Sequence, residues 1–427
     1  MLFSSLDGLS QEQRERLLNR RRTHAEVEAR VAAILERVRL HGDSALLELT
    51  KELDGVEPET LRVPDEVMEE AMSSVQEEVL EALETAKSSI EEFHSRQVPE
   101  DWRYTKDGAT LGMVYRPLES VGCYVPGGRA SYPSTVLMCA VPARLAGVER
   151  VVVCTPPGEH GYPAPLTLAA CRIAGVDEVY SIGGAQAIAA LAYGTRSIPR
   201  VEKIVGPGNV YVTAAKRLVS GEVATDMPAG PSEVLILADA TADPWFVALD
   251  MLAQAEHDPM AVSVLVTTSE ELAREVVDAL ERASGEAPPA AREALTAWGA
   301  VLIAESLDEA VEFANAFAPE HLEVMVEDEE QVLRRIRSAG SVFLGTRSPV
   351  ACGDYASGTN HVLPTSGYAK AFSGLGVADF MKRITFQKLS DEALERLGRA
   401  AVTLARAEGL EMHARSIEAR LERRYHD

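Results

Sequence analysis

The chain has 427 residues, of which 46% are hydrophobic and 25% charged, and its formal charge is −24. This length allows about two to three domains with their own cores, and the composition is ordinary for soluble globular proteins. Such acidity argues against wrapping nucleic acid or sitting on an anionic membrane, so any anionic ligand needs local Lys, Arg or backbone N–H partners.

The opening "MLFSSLDGLSQEQRERLL" has no apolar signal core and soon becomes charged. No apolar run of about 18 residues follows. Five scattered cysteines include no Cys-x-x-Cys pair, so neither a disulfide framework nor a structural zinc knuckle is indicated. A reducing, cytoplasmic location is the expectation. The first hundred residues read as helices: "THAEVEARVAAILERVRLHGDSALLELTKELDG" spaces apolar residues at three and four, and Gly55 is a plausible stop. His24, His41 and His94 are expected to be solvated. The basic "NRRR" at 19–22 is too short and too mixed with acids to suggest nucleic acid.

From Gly147 the texture alternates. "GVERVVVCTPPG", "GVDEVYSIGGAQAIAALAYG" and "RVEKIVGPGNVYVTAAKRLV" each carry a β-branched run broken at Gly or Pro, with a helical segment after it. This is a repeating βα unit and predicts a parallel sheet with crossover helices. Ligands of such sheets sit beyond the strand ends, here "CTPPG", "IGGAQ" and "GPGN". A second alternating series runs from "SEVLILAD" to "HLEVMV" and "SVFLG". A Gly-, Ser- and Pro-rich stretch follows over 345–376, and from Asp391 the tail is helical and highly charged, as in an arm that packs on something else.

No Gly-x-Gly-x-x-Gly after a strand, Walker loop or His-Glu-x-x-His is present. "GPGN" reads either as a tight turn or as backbone N–H groups near a ligand. In "QAEHDP", Gln254 and His257 are three apart; on a helix they share a face and either clasp a metal or end the helix as a polar pair. "CGDYASGTNH" adds Asp354 and His361 in a glycine-rich loop. In "APEHLE", Glu320 and His321 are adjacent; on a strand or helix they point apart, serving two proton transfers or forming a polar corner. Glu408 and His413, five apart, lie about 140° from each other on a regular helix. They converge only if the helix breaks, and Gly409 is the obvious place.

"VGCYVPGG", "GPGNVYV", "DMPAGPSEVL", "QAEHDP", "APEHLE", "GDYASGTNHVLPT" and "GLGVADFMKR" occur in the order seen in histidinol dehydrogenases, which the chain resembles over nearly its whole length. The resemblance implies an α/β fold of two Rossmann-like, incomplete doubly wound domains with parallel sheets, plus helical N- and C-terminal extensions. It suggests 1–22 as an N-terminal helical extension and 23–120 with 236–384 as a discontinuous α/β domain carrying much of the zinc site. A Rossmann-like coenzyme domain would span 121–235, and 385–427 would be an arm to a partner subunit.

The family oxidises L-histidinol to L-histidine through the aldehyde, the last steps of histidine biosynthesis, with two NAD, one zinc per subunit and one water. By position, Gln254, His257, Asp354 and His413 match its zinc ligands, and these four also touch substrate. His321 matches the base for the alcohol and hydrate steps and contacts substrate; Glu320 matches the residue that activates water. Ser232, His361 and Glu408 match substrate positions, and Tyr124, Gln186 and Asn209 coenzyme positions. The resemblance further implies a homodimer with shared active sites, in which Glu408 and His413 complete the other subunit's site. Three residues depart from the pattern: Cys139 where a polar amide is expected, Thr359 where proline is common, and Cys352 two residues before Asp354. The alternative is a related zinc- and NAD-dependent dehydrogenase acting on another primary alcohol, such as a sulfonated diol. A zinc hydrolase is disfavoured by the repeated βα loops, and a non-catalytic relative by the retained Glu320 and His321.

Overall fold

The computed structural model describes residues 1–20, 25–127 and 131–423, so His24, Gly128 and two of the four residues of "NRRR" lie outside the described part. The chain divides into two compact units, Met1–Gln97 with Leu118–Phe380, and Val98–Pro117 with Met381–Asp427. Among the described residues no helix is long and apolar enough to cross a membrane.

The larger unit is built on two parallel sheets. The three βα repeats read from the sequence form strands Arg150–Thr155, Glu178–Ser181 and Lys203–Val205, which join Ser120–Tyr124 and Ala224–Thr225 in a five-stranded sheet. Helices Pro165–Ile173, Gly184–Tyr193 and Val210–Val219 are the crossovers. Helices over residues 25–54 contribute Val31, Leu35 and Leu46 to the core on this sheet, beside Tyr124, Tyr180 and Ile188.

The second alternating series forms a six-stranded sheet whose central strands are Val262–Thr267, Glu233–Ala238 and His321–Met325. All three are fully buried, as strands covered on both faces by helices must be, and their near-continuous apolar runs follow from that. The N-terminus differs from the helical expectation. Leu2–Ser5 is an edge strand paired in parallel with Ala300–Ile303, and only then does helix Gln11–Leu18 start, through a Ser10–Gln13 capping box. Four residues are too few for periodicity to separate strand from helix.

The smaller unit holds a three-stranded antiparallel sheet of Trp102–Lys106, Ala109–Pro117 and Met381–Leu389, and helices Asp391–Ala407 and Glu411–Arg423. The helical reading of the tail holds, but this sheet was not anticipated. Its signal is Asp107-Gly108, both at positive φ (48° and 76°), the two-residue turn whose twist matches paired strands.

His94 corrects the expectation of a solvated residue. It is fully buried near the end of helix Glu77–Ser95, with Nδ1 2.9 Å from the Ile90 carbonyl and the Phe93 ring edge-on at 5.2 Å. Burial lowers its pKa and keeps it neutral. His41 is exposed, as expected.

Candidate active site

The central strand Glu233–Ala238 and its neighbour His321–Met325 bring the site together. Helix Leu307–Phe317 ends where Ala318 turns left-handed (φ 52°) and Pro319 cannot continue the ladder. Glu320 therefore enters the sheet just ahead of the strand. Its carbonyl accepts from Ser341 N–H at 2.9 Å, and a Cβ on Gly340 would come within 2.6 Å of the same oxygen, so only glycine permits this approach.

Both members of the pair are buried and both are tied to Glu233. Its N–H donates to Glu320 Oε2 at 2.8 Å, and its carbonyl oxygen lies 3.1 Å from His321 Nδ1, which donates to it. The two side chains do not diverge as strand alternation suggested. Because Glu320 lies outside the strand and folds back onto Glu233, its carboxylate is 3.7 Å from His321 Nδ1. His321 Nε2 has no hydrogen-bond partner and faces Asp354 Oδ1 at 3.5 Å. Burial pushes the Glu320 carboxyl up to about 8 against the pull of His321. Burial alone would lower His321, but the Glu320 and Asp354 carboxylates outweigh it and raise it to about 9.

Asp354 sits in the short helix Val350–Tyr355. Burial raises its pKa, but the charge and proximity of His321 dominate and hold it below the usual carboxylate range. Glu323, two residues along the strand from His321, accepts from Val350 N–H at 2.9 Å and so anchors that helix. Burial, and next the Asp250 carboxylate, push Glu323 up to about 8. His361 Nδ1 donates to the Asp354 carbonyl at 2.8 Å, its Nε2 is 3.2 Å from Thr135 Oγ1, and burial lowers its pKa. Ser232, Glu320 and His361 line one cavity of about 50 Å³ together with Gly206 and Gly208 of the "GPGN" turn.

Gln254 and His257 lie on either side of a helix end. Helix Pro244–Ala255 stops between them, so Gln254 is buried in its last turn while His257 is exposed on the turn beyond. His257 is nonetheless near enough for its charge to act on both Asp354 and His361. Neither Gln254 Oε1 nor Nε2 has a partner. A buried amide with no partner suits a metal ligand, since each such group otherwise costs about 1–3 kcal/mol. Together with His257 and Asp354 it would offer nitrogen and oxygen donors of the kind zinc takes. Among the described residues no cluster of three or more His, Cys, Asp or Glu side chains is gathered to hold a metal.

Glu408 and His413 belong to the smaller unit and are both exposed. The expected break is present: Gly409 is at φ 77° between the two tail helices.

The candidate coenzyme residues sit at the strand ends of the five-stranded sheet. Tyr124 ends its strand, accepts from Gly184 N–H at 3.2 Å through its hydroxyl, and is pushed up to about 12 by burial. Gln186 is buried with Oε1 unpartnered and Nε2 3.5 Å from Asp54 Oδ2; burial raises the Asp54 carboxyl to about 6. Asn209 caps helix Val210–Val219, its Oδ1 accepting from the N–H groups of Tyr211 and Val212. In the same turn Gly206 is at φ 113°, where a Cβ would strike the Tyr124 carbonyl. Lys216 and Asp226 pair beneath it and bind its carbonyl and N–H respectively. Cys139 is buried and Cys352 exposed.

Sequence reasoning missed Glu233, Glu323, Asp250 and Asp54. For the first two a signal existed: an acid inside an otherwise apolar strand needs an internal partner.

The family model described as "Histidinol dehydrogenase" matches residues 18–421. Histidinol dehydrogenase of Methanosarcina mazei is 53% identical over 423 residues, covering 98% of each chain. That of Methanothermobacter thermautotrophicus is also 53% identical, covering 92% of each. The crystal structure of histidinol dehydrogenase from Elizabethkingia anophelis matches with a TM-score of 0.94 at 38% identity, over 99% of this chain and 98% of that one. Likeness of this extent takes in both sheets and every loop that carries the buried Glu–His pair, and the chain belongs to the histidinol dehydrogenase family.

Proposed function

We propose that this oxidoreductase, a dehydrogenase of histidine biosynthesis, catalyses the zinc-dependent four-electron oxidation of L-histidinol to L-histidine through L-histidinaldehyde, with two NAD. The observation that carries the reading is the pair at Glu320 and His321: two buried proton carriers, 3.7 Å apart, both clamped to the Glu233 backbone and close to Asp354.

Gln254, His257 and Asp354, with His413 of the partner subunit, would hold zinc. Bound there, zinc supplies a template that holds and orients the alcohol. With Nδ1 donating to Glu233, His321 presents Nε2 toward the substrate side and takes the hydroxyl proton while hydride leaves the same carbon. Glu320, in its ionised form, then takes a proton from water as it adds to the aldehyde carbon, and His321, having released its first proton to solvent, deprotonates the hydrate during the second hydride loss. The balance is RCH2OH + H2O + 2 NAD+ to RCOO−, two NADH and three protons. Ser232 and His361 hold substrate, and Glu408 of the partner subunit pairs with its ammonium group. Tyr124, Gln186 and Asn209 form the coenzyme site in the 121–235 domain. Exposed apolar side chains on the tail, among them Leu404 and Met412, support a homodimer in which the tail is covered. A cytoplasmic setting completes the proposal.

The test is NADH formed per L-histidinol consumed, on zinc-loaded protein and after chelation. Two NADH per substrate, lost on chelation and restored by zinc, is the expected result. No NADH with zinc bound would overturn the assignment.

A further inference from the structure

Glu233 holds both members of the catalytic pair through its backbone, and what holds Glu233 is far away in sequence. Arg20 follows helix Gln11–Leu18, and its guanidinium is buried against Glu233, the two side chains being only 5% and 1% exposed. Nε donates to Glu233 Oε1 at 2.6 Å and Nη2 to Oε2 at 3.0 Å, a bidentate fork. Nη2 also donates to the Phe317 carbonyl at 2.8 Å, Nη1 donates to the Leu17 carbonyl, and Cζ stands 3.5 Å over the Phe317 ring. Phe317 is the last helical residue before the Ala318–Pro319 turn that delivers Glu320. One cation therefore grips both backbone segments that set the pair: the start of the central strand and the turn entering its neighbour.

A buried ion pair is a poor source of stability, because desolvation offsets the Coulomb gain and apolar replacements of equal volume are often as stable. Its planar fork does fix orientation, which a flexible ammonium does not. We infer that Arg20 is a positioning residue for the Glu320–His321 pair, acting through Glu233 and the Phe317 carbonyl. This rests on the proposed catalytic roles of Glu320 and His321. On its far side the Arg20–Glu233 pair lines a cavity of about 170 Å³ with Arg16, Pro231 and Trp298, a space through which a small planar cation could reach the Glu233 carboxylate.

The experiment uses full-length, zinc-loaded R20M, R20K and R20A, with E320Q as control. Activity is expressed per zinc-loaded site for L-histidinol and L-histidinaldehyde. A positioning role lowers kcat of R20M roughly 10- to 100-fold, the range that misplacement of about 1 Å produces, with KM within about twofold. R20K recovers only part of this, and low, non-denaturing guanidinium restores part of the kcat of R20A. A purely structural role would lower the folded fraction or the melting temperature and leave kcat per site unchanged. If R20M does not fold, R20K decides by the same split. Wild-type kcat in R20M or R20K beside an E320Q that loses aldehyde oxidation overturns this inference alone. Full aldehyde oxidation by E320Q overturns the catalytic reading on which it rests.

Discussion

Gln254 allows a prediction whose sign depends on metal. The residue is 3% exposed, and neither polar atom of the amide has a partner. In excess chelator this amide bears a desolvation cost of about 1–3 kcal/mol that no hydrogen bond offsets. Gln254→Met keeps an unbranched side chain of similar volume and removes the polar atoms, so the chelated variant is expected to be more stable than the chelated wild type by that amount. At about 2.1 cal/mol/K per residue, the whole chain unfolds with an entropy near 0.9 kcal/mol/K, so the melting temperature rises by about 1–3 °C. In zinc the gap narrows, and it reverses where the wild-type gain exceeds the variant's own gain by more than that lead. At a free concentration a hundredfold above Kd, wild type gains about 2.7 kcal/mol, or about 3 °C, and the variant, lacking an oxygen donor, gains less. Thermal unfolding in chelator and in zinc, with metal content measured on the same samples, reads both halves. A variant less stable than wild type in chelator would refute the claim that the amide is unsatisfied. One that retains zinc as wild type does would refute its role as a ligand.

The remaining predictions concern the proton carriers, the tail and the buried histidine. E320Q lowers L-histidinaldehyde oxidation by roughly 10²–10⁴ and L-histidinol oxidation to the aldehyde much less; equal losses in both half-reactions would contradict separate jobs for the pair. Mixing H257A with H413A and re-pairing subunits at random restores about a quarter of wild-type activity, since each mixed dimer rebuilds one intact site; no recovery despite confirmed mixed dimers would rule out sharing of the site between subunits. His94, held neutral by burial, has a folded pKa below its unfolded value. Its contribution to stability is therefore full above about pH 6.5 and is lost as pH falls below that, where the unfolded chain takes up the proton first. H94Q is expected to flatten the decline in melting temperature between neutral and mildly acidic pH, and an unchanged slope would count against it.

Much of this was legible in the residues. The βα series over 147–219 and from 233 onward became the strands of the two parallel sheets, because β-branched runs ending at Gly or Pro bury only as covered strands. The tail helix breaks at Gly409, the place its sequence offered for a break. The chemical types around the candidate site were also legible, because an imidazole next to a carboxylate in a short motif is visible without a fold. His94 was misread because charged neighbours on a helix say nothing about the face that turns inward, and that face meets Leu375 and Asn360 from far along the chain.

The order of the strands and the partners of buried charges were not written locally. Arg20 reaches Glu233 across 213 residues, Glu233 reaches Glu320 across 87, and His321 meets Asp354 through a helix anchored by Glu323. Sequence alone determined the βα segments of the two parallel sheets, the helical tail and which residue types are available for proton transfer and metal binding, but not the edge strand Leu2–Ser5 or the antiparallel sheet. Tertiary structure decided that Glu320 and His321 converge on the backbone of one residue, Glu233, and that the Gln254 amide is sealed off without a partner, because burial and long-range pairing arise only when distant segments pack.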